Sequence, residues 1–216
     1  MKIGSWSYIP RRAAEILRTE GAFSLWCKVL AMIGYRRVLV VERAIPPSVD
    51  GVTSDVPVTT GPLAPEDVAD YLAFRPELDA DDVRRRVRDG HQCFAARHEG
   101  KIVHANWVIT GRAHVEFLGR DLELPPDAIY AGESYTASSF RGHNIAAVRS
   151  AHMMRHYYAA GYRRSISVVF PESRPACRAV EKAGYRPVAI MGRIKLGPWR
   201  WDFYRPFAPG ASWKNG

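Results

Sequence analysis

The sequence predicts a mixed α/β domain with a largely antiparallel sheet and one β-α-β crossover near its middle. Strand-like and helix-like segments follow one another in the order βααβββαβαββ, which is typical of this class. The chain has 216 residues, of which 47% are hydrophobic and 25% are charged, as in compact globular domains. The sequence contains no internal repeat and no low-complexity tract.

The first elements predict an N-terminal helical extension over residues 1–35, followed by one domain over residues 36–216. Residues 10–34 have a helical pattern that ends at Gly34. The apolar run 21–35 contains Lys28 and is too short to span a bilayer, so we expect a buried or interfacial helix. Residues 35–42 are rich in β-branched side chains and predict a strand, whereas residues 45–64 predict a linker or long loop.

The remaining elements follow from helix first turns and strand alternation. Pro65, Glu66 and Asp67 form a favourable first helical turn, and Gly90 ends the second helix. A hairpin turns at Glu99 and Gly100. The predicted helices span residues 65–74, 79–88, 145–158 and 173–183, and the predicted strands span residues 93–97, 102–109, 128–136, 165–170, 188–196 and 201–204.

The charge pattern indicates an anionic partner without identifying it. The chain has 31 basic and 22 acidic residues, a net charge of +9, and only six of the basic residues are lysine. Guanidinium groups bind phosphates and carboxylates bidentately. The alternative is that much of this charge is solvated surface, which is the interpretation we give the arginine run at residues 84–88. Nucleic acid is therefore the least favoured partner.

Neither the cysteines nor the histidines predict a metal site. Cys27, Cys93 and Cys177 have no paired spacing and no CxxC motif, so a reducing cytoplasm is expected. His152 and His156 are four residues apart on a predicted helix, but no glutamate completes an HExxH motif. A helical projection places both histidines and Arg149 opposite an apolar face made by Ala147, Ala151, Met154 and Tyr158.

The most informative segment is ESYTASSFRGHNIA, residues 133–146, where a strand ends and a helix begins. Such a turn exposes backbone N–H groups at the positive end of a helix dipole and favours a pyrophosphate. Gly142 lets the backbone approach a phosphate, Ala146 keeps the first turn free of bulk, and Arg141 adds charge. Asn144 stands where a left-handed conformation is expected, which Asn tolerates best among non-glycine residues. The alternative is an ordinary helix N-terminus.

This segment resembles the acyl-CoA pyrophosphate loop of the GNAT superfamily of N-acetyltransferases. Arg141 and Ala146 match its Arg/Gln-x-x-Gly-x-Gly/Ala pattern, and Asn144 replaces the central glycine. A second segment, SRPACRAVEKAGY at residues 173–185, resembles the family's helix that ends in Glu-Lys-x-Gly-Phe/Tyr, although Ser173 stands where Asn is usual. The resemblance covers about residues 36–205.

The resemblance implies an acyl-CoA N-acyltransferase fold and a set of binding residues. Acetyl-CoA or another acyl-CoA would be the co-substrate, with no metal. The residues expected to bind it are Thr136, Ala137, Arg141, Gly142, His143, Asn144, Ile145, Ala146 and Ser173. In the family, the strand before the loop splays from its neighbour, and its N–H groups hold the thioester.

Glu133 and Tyr135 are the candidate catalytic residues. Strand alternation places them on one face and Gly132, Ser134 and Thr136 on the other. A carboxylate in a mainly apolar strand is costly without a task or a partner, so Glu133 is the candidate general base, acting through water. Tyr135 would line the substrate or donate a proton. The alternative for Glu133 is a structural salt bridge to an arginine.

The chain departs from the family pattern at Val180, where many members have a tyrosine as general acid to the departing thiolate. Either another group or solvent protonates the thiolate, or the fold is a non-catalytic acyl-CoA-binding module. The acceptor is an amine of a small molecule, peptide or protein. Acyl transfer from an acidic acyl carrier protein, contact with an anionic membrane surface and a homodimer stay open as alternatives.

Overall fold

The computed structural model describes residues 34–208, together with Ala22, Trp26, Leu30, Gly210 and Trp213. Most of the predicted extension over residues 1–35 lies outside the described residues. Within it, Ala22, Trp26 and Leu30 are helical. No helix in the described part of the chain is long and apolar enough to cross a membrane.

Residues 34–208 form four α-helices and ten strands. The helices are α1 (Val68–Phe74), α2 (Ala80–Arg88), α3 (Ile145–Ala159) and α4 (Arg174–Lys182). The strands are β1 (Tyr35–Ala44), β2 (Thr59–Pro62), β3 (Gln92–His98), β4 (Lys101–Thr110), β5 (Arg112–Val115), β6 (Arg120–Glu123), β7 (Ala128–Thr136), β8 (Arg164–Val169), β9 (Arg186–Leu196) and β10 (Trp199–Pro206).

Three of these strands were not predicted. β2 lies inside the predicted linker 45–64, where the sequence TTGP has no apolar alternation and contains both Gly and Pro. β5 and β6 form a separate two-stranded hairpin in which Ala113, Val115 and Leu122 are buried. These strands are only four residues long, so their alternation is too short to distinguish from a loop.

The chain divides into two compact units, and the larger comprises Arg43–Val115 and Arg120–Ser167. Its strands β2, β3, β4 and β7 pair antiparallel in that order, and β8 begins parallel to β7. Alternate strand residues face opposite sides, so each face builds its own core. Helices α1 and α2 cover one face through Tyr71 and Val83, which pack around Trp107. Helix α3 covers the other face through Met153, Met154 and Tyr157.

The smaller unit comprises the described residues up to Glu42, the turn Glu116–Gly119 and the chain from Val168 onward. Its strands β1, β9 and β10 form an antiparallel sheet with β9 in the middle. Helix α4 packs on this sheet through Ala176, Cys177 and Val180, which contact a core containing Leu39 and Tyr185. The predicted mixed, mostly antiparallel architecture flanked by helices is confirmed.

Candidate functional site

The predicted phosphate loop connects β7 to α3 within the larger unit. A short 3-10 turn spans Ser138–Phe140, and the ring of Phe140 lies 5.3 Å from that of His98. Gly142 has φ of +90°, and no described atom lies within 4 Å of a Cβ placed there. The need for glycine at this position is therefore conformational rather than steric.

Asn144 has φ of 59°, so the predicted left-handed residue before the helix is confirmed. Its side chain does not cap α3. Instead Nδ2 donates to the carbonyl oxygen of Thr53 at 2.7 Å. Since the cap position is left without its usual side-chain acceptor, the first turn of α3 keeps its N–H groups available.

Five consecutive backbone N–H groups, those of residues 142–146, have no acceptor among the described residues. Gly142, Asn144 and Ala146 are exposed, whereas Ile145 is buried and fixes the first turn in the core. Unpaired amides at the start of a 15-residue helix bind anions well because the helix dipole adds positive potential there. The loop therefore has the geometry of a phosphate site.

Residues 53–55 hold this loop in place, although no sequence pattern predicted these contacts. Besides the bond from Asn144, the N–H of Asp55 donates to the carbonyl oxygen of His143 at 3.2 Å. The Nδ1 atom of His143 lies 3.8 Å from a carboxylate oxygen of Asp55. Arg141 turns back toward the strand, where its Nε donates to the carbonyl oxygen of Thr136 at 3.3 Å.

Strand β7 separates from its parallel neighbour before it reaches the loop. Ala128, Ile129 and Tyr130 pair with residues 164–166 of β8, and the pairing ends there although β7 continues to Thr136. Among the described residues, the edge of β7 over residues 131–136 therefore lacks the ladder partner that it has at its start. This is the splayed strand that the family resemblance implied.

A β-bulge interrupts the other edge of β7 at Glu133. Ala105 of β4 lies opposite Tyr135, and Trp107 lies opposite Gly132, so Asn106 alone faces the two residues between them. Glu133 adopts φ of 51°, a left-handed conformation that costs a non-glycine residue about 1–3 kcal/mol. Such strain is typical of functional sites, where the surrounding structure must hold it.

The bulge changes which residues share a face. Residues directly opposite each other across two strands point to the same side. Gly132 and Tyr135 therefore both lie on the face of Trp107 and Ala105, which is the face covered by α1 and α2. The prediction that Gly132 and Tyr135 point to opposite faces of the sheet is wrong, because the extra residue in the bulge reverses the alternation.

Glu133 and Tyr135 both contact the α1–α2 layer. Oε1 of Glu133 accepts from Nη1 of Arg86 at 2.6 Å, and Arg86 also pairs with Asp82 at 2.9 Å. The salt bridge that the sequence left open for Glu133 is thus formed. Its other oxygen, Oε2, has no hydrogen-bond donor among the described residues, and the side chain is 42% exposed.

Burial lowers the pKa of Arg86, but the hydrogen bond to Glu133 and the negative charge of that carboxylate raise it by more. The pKa of Arg86 therefore lies above its ordinary value. The arginine run at residues 84–88 is exposed at Arg84 and Arg85, as predicted, but Arg86 points inward with 17% exposure.

Tyr135 lies between an aromatic ring and a cation. Its ring meets that of Phe74 edge-on at 5.4 Å, and the guanidinium of Arg75 lies 4.3 Å from its centroid. Both partners are at the end of α1. The ring of Tyr135 therefore packs against the end of α1, on the α1–α2 side of β7.

Three buried polar side chains lie on the α3 face beneath the bulge. His104 and Asn106 of β4 and Arg149 of α3 are at most 5% exposed. The prediction that Arg149 faces away from the core is wrong. Its guanidinium hydrogen-bonds both β4 side chains, and these bonds offset the free-energy cost of burying it. The signal in the sequence was the pair His104 and Asn106, spaced by two within an otherwise apolar strand.

Of the other residues that the sequence singled out, Ser173 and Val180 belong to the smaller unit, and His152 and His156 belong to α3. Ser173 precedes α4 in the smaller unit, and its side chain makes no capping bond. Val180 contacts the apolar cluster of that unit. In α3, Nδ1 of His152 lies 2.7 Å from Oγ1 of Thr60, whereas His156 is exposed. No group of three metal-ligating side chains is found in the described part of the chain.

No protein-family model and no curated protein matches the sequence. The fold is similar to that of a functionally unknown conserved protein from Staphylococcus epidermidis ATCC 12228, with a TM-score of 0.53 and 13% identity over 77% of this chain and 64% of that one. At this identity the likeness is one of fold.

Two further similar structures come from proteins described as acetyltransferases. One is a GNAT-family acetyltransferase from Novosphingobium aromaticivorans DSM 12444, with a TM-score of 0.49 and 17% identity over 73% of this chain and 63% of that one. The other is a GCN5-related N-acetyltransferase from Kribbella flavida, with a TM-score of 0.48 and 13% identity over 77% of this chain and 60% of that one. This chain covers less than two thirds of each of the three proteins. GNAT-family N-acetyltransferases are thus among its structural neighbours.

Proposed function

We propose that this protein is an N-acyltransferase that moves an acyl group from acyl-CoA to a primary amine. The proposal is supported by an open strand edge and a cluster of free amides that follow one another along the chain. The unpaired edge of β7 at residues 131–136 leads directly into a loop with five consecutive unbonded amides. The extended thioester arm of acyl-CoA needs an open strand edge, and the pyrophosphate that follows it needs a cluster of free amides.

The loop would bind the pyrophosphate through the amides of residues 142–146. The exposed edge of β7 would hold the pantetheine arm and the thioester by backbone hydrogen bonds, as a strand binds a peptide at an open sheet edge. Donors fixed before the reaction stabilise the oxyanion that develops on the carbonyl. The left-handed backbone at Glu133 is strained structure at the point where the carbonyl must be held.

Chemistry then requires the amine nitrogen to attack the thioester carbonyl carbon as the C–S bond breaks. The ammonium form must first lose a proton. Oε1 of Glu133 holds Arg86, whereas Oε2 has no donor among the described residues and the side chain is 42% exposed. A water on Oε2 would carry that proton to the carboxylate. Tyr135 would line the acceptor side, together with Phe74 and Arg75.

The sulfur would leave as a thiolate. Val180 contributes an apolar side chain to the core of the smaller unit and offers no proton. A thiol has a pKa near roughly 8.5, so a thiolate is a tolerable leaving group near neutral pH. No dedicated acid is needed.

Acetyl-CoA is the simplest donor. A longer acyl group or an acyl carrier protein fits the same chemistry, and the net charge of +9 would attract an acidic carrier. A reducing cytoplasm would suit such an enzyme.

A second candidate, a non-catalytic acyl-CoA-binding module, is favoured by two observations. The Val180 position lacks an acid, and the Glu133 carboxylate is already paired with Arg86. This alternative predicts binding without turnover.

The test is thiol release from a panel of acyl-CoA and acyl-carrier donors with a panel of amines, detected with a chromogenic disulfide. Mass spectrometry of ligand that copurifies with the protein would select the first donor. Amine-dependent thiol release supports the enzyme. Stoichiometric binding of acyl-CoA with no release from any pair would favour the binding module, and no binding at all would contradict both.

A further inference from the structure

A chain of hydrogen bonds crosses the core from helix α3 to the bulge in β7, and it starts at Arg149. Nε of Arg149 donates to Nε2 of His104 at 3.2 Å, and Nη1 donates to Oδ1 of Asn106 at 3.1 Å. Arg149 is 5% exposed, and the two residues that its guanidinium contacts, His104 and Asn106, are 0% and 2% exposed. A buried polar network of this kind fixes geometry, because each broken bond leaves an unsatisfied group.

The two β4 side chains, His104 and Asn106, each form a hydrogen bond with β7. Burial, and then the charge of Arg149, lower the pKa of His104 to about 3, so its ring is neutral. Because Nε of Arg149 can only donate, Nε2 of His104 accepts and the ring proton resides on Nδ1. Nδ1 therefore donates to Oγ1 of Thr136, 2.8 Å away.

Asn106 completes the other arm. Its Nδ2 donates to the carbonyl oxygen of Gly132 at 2.5 Å, the last residue before the bulge. A bulge disrupts the ladder locally, and here a side-chain amide supplies a bond at that point. The network thus holds β7 on both sides of Glu133, once at Gly132 and once at Thr136.

Arg149 is also part of the helix that begins with the phosphate loop. It lies four residues after Ile145, the first residue of α3. One side chain therefore ties the start of α3 to both ends of the bulge.

We propose that Arg149 is a positioning residue that, through His104 and Asn106, fixes the bulge of β7 relative to the amides at the start of α3. This inference rests on the proposed function, since it assigns the thioester to the bulge and the pyrophosphate to the loop. A displacement of about 1 Å between the bulge and the loop would lower the rate of acyl transfer about 10²-fold. The bulge would still bind the thioester, and the loop would still bind the pyrophosphate.

The experiment compares Arg149→Met and Asn106→Ala with a matched control, Met153→Leu. Met153 is 1% exposed, lies one turn further along α3 and contacts Arg149 through its sulfur, but it does not bond β4 or β7. Substitution there disturbs the same core and removes the sulfur contact, but it leaves the bonds from Arg149 to His104 and Asn106 in place. Asn106→Ala carries the test if Arg149→Met does not fold.

Two readouts separate positioning from simple stability. The first is amide hydrogen exchange of the ligand-free protein over residues 130–137, which requires no activity. We expect faster exchange there in both network variants and wild-type exchange in Met153→Leu. The second is a split between kcat, expected to fall about 10²-fold, and the affinity for CoA, expected to match wild type.

Unchanged exchange over residues 130–137 in a folded network variant would overturn the inference. So would a network variant with wild-type kcat, or one in which kcat falls no further than in Met153→Leu. If wild-type protein transfers no acyl group, the proposed function fails by itself, and the exchange readout still decides whether Arg149 holds the bulge.

Discussion

Nη1 of Arg86 lies 2.6 Å from Oε1 of Glu133, so helix α2 holds the side chain of the residue whose backbone is left-handed in β7. The contact fixes one carboxylate oxygen of a side chain that is 42% exposed, and the other oxygen has no donor among the described residues. A residue with one oxygen anchored is oriented for proton transfer, but the same contact also serves a purely structural salt bridge. Substitutions on the two sides of the pair distinguish these roles.

Glu133→Gln is expected to lower turnover by about 10²-fold or more, because the amide cannot accept the proton of the amine. The affinity for CoA should stay close to that of wild type. Arg86→Met is the matched control, since it removes the partner and keeps the carboxylate. Steady-state kinetics of both variants check this. Equal losses in the two would make the pair structural, and wild-type turnover in Glu133→Gln would exclude Glu133 as the base.

The backbone of Glu133 can be tested separately from its side chain. With φ of 51°, the position accepts glycine without strain but not a β-branched residue. Glu133→Val should lower the free energy of unfolding by about 1–3 kcal/mol more than Glu133→Gly does. Urea unfolding measures the difference. Ser134, the next residue in the bulge, has a negative φ and is the control. If Ser134→Val costs as much as Glu133→Val, the loss comes from the side chain and not from the left-handed backbone.

The loop should account for CoA binding. Free CoA is expected to raise the melting temperature by mass action, and Arg141→Ala combined with Gly142→Val should abolish that shift while the ligand-free fold persists. The valine acts through the backbone, because φ at Gly142 is +90° and the space around it is open. Arg155→Ala, near the other end of α3, controls for lost positive charge. An undiminished shift in the double variant would place the ligand elsewhere.

His104 should make the fold sensitive to acid. Its pKa is lowered to about 3 in the folded protein, by burial and then by the charge of Arg149, whereas the unfolded chain titrates near 6.5. Below pH 6.5 the unfolded chain binds a proton at His104 that the folded protein does not bind. The free energy of unfolding therefore falls as the pH drops from 6.5 toward 3. The slope is about 1.4 kcal/mol per pH unit.

Urea unfolding of wild type and His104→Gln over this range isolates that contribution. Since burial also lowers the pKa of His91 and His152, only the difference between the two proteins reports His104. The slope should be shallower in the variant. Parallel pH profiles would mean that His104 is not buried as a neutral ring.

The departing thiolate should need no acid from the protein. With Val180 in an apolar cluster, we expect turnover to rise with pH and then level off, reporting only the amine and its base. Val180→Tyr should change the rate little. A bell-shaped profile whose alkaline limb disappears in Tyr135→Phe would contradict this and make Tyr135 the acid.

Local rules sufficed for much of this protein. Strands such as β4 and β7 follow from their β-branched and aromatic residues, and the start of α3 follows from the residues that begin a helix. Both signals depend on neighbours within a few positions. The left-handed residue at Asn144 was likewise predictable, because backbone sterics favour few residue types there. The fold class and the left-handed residue before α3 were therefore determined by the sequence itself.

Tertiary structure decided the rest. The bulge at Glu133 reversed the alternation that had separated Gly132 from Tyr135, since strand period alone cannot place an extra residue. Arg149 is buried against expectation because its partners, His104 and Asn106, are more than forty positions away in the chain. Likewise, Thr53 and Asp55 anchor the loop from a segment without periodicity. Local patterns give each residue's preference for water, but whether a charge can be buried depends on polar partners that only the folded chain brings within hydrogen-bond distance.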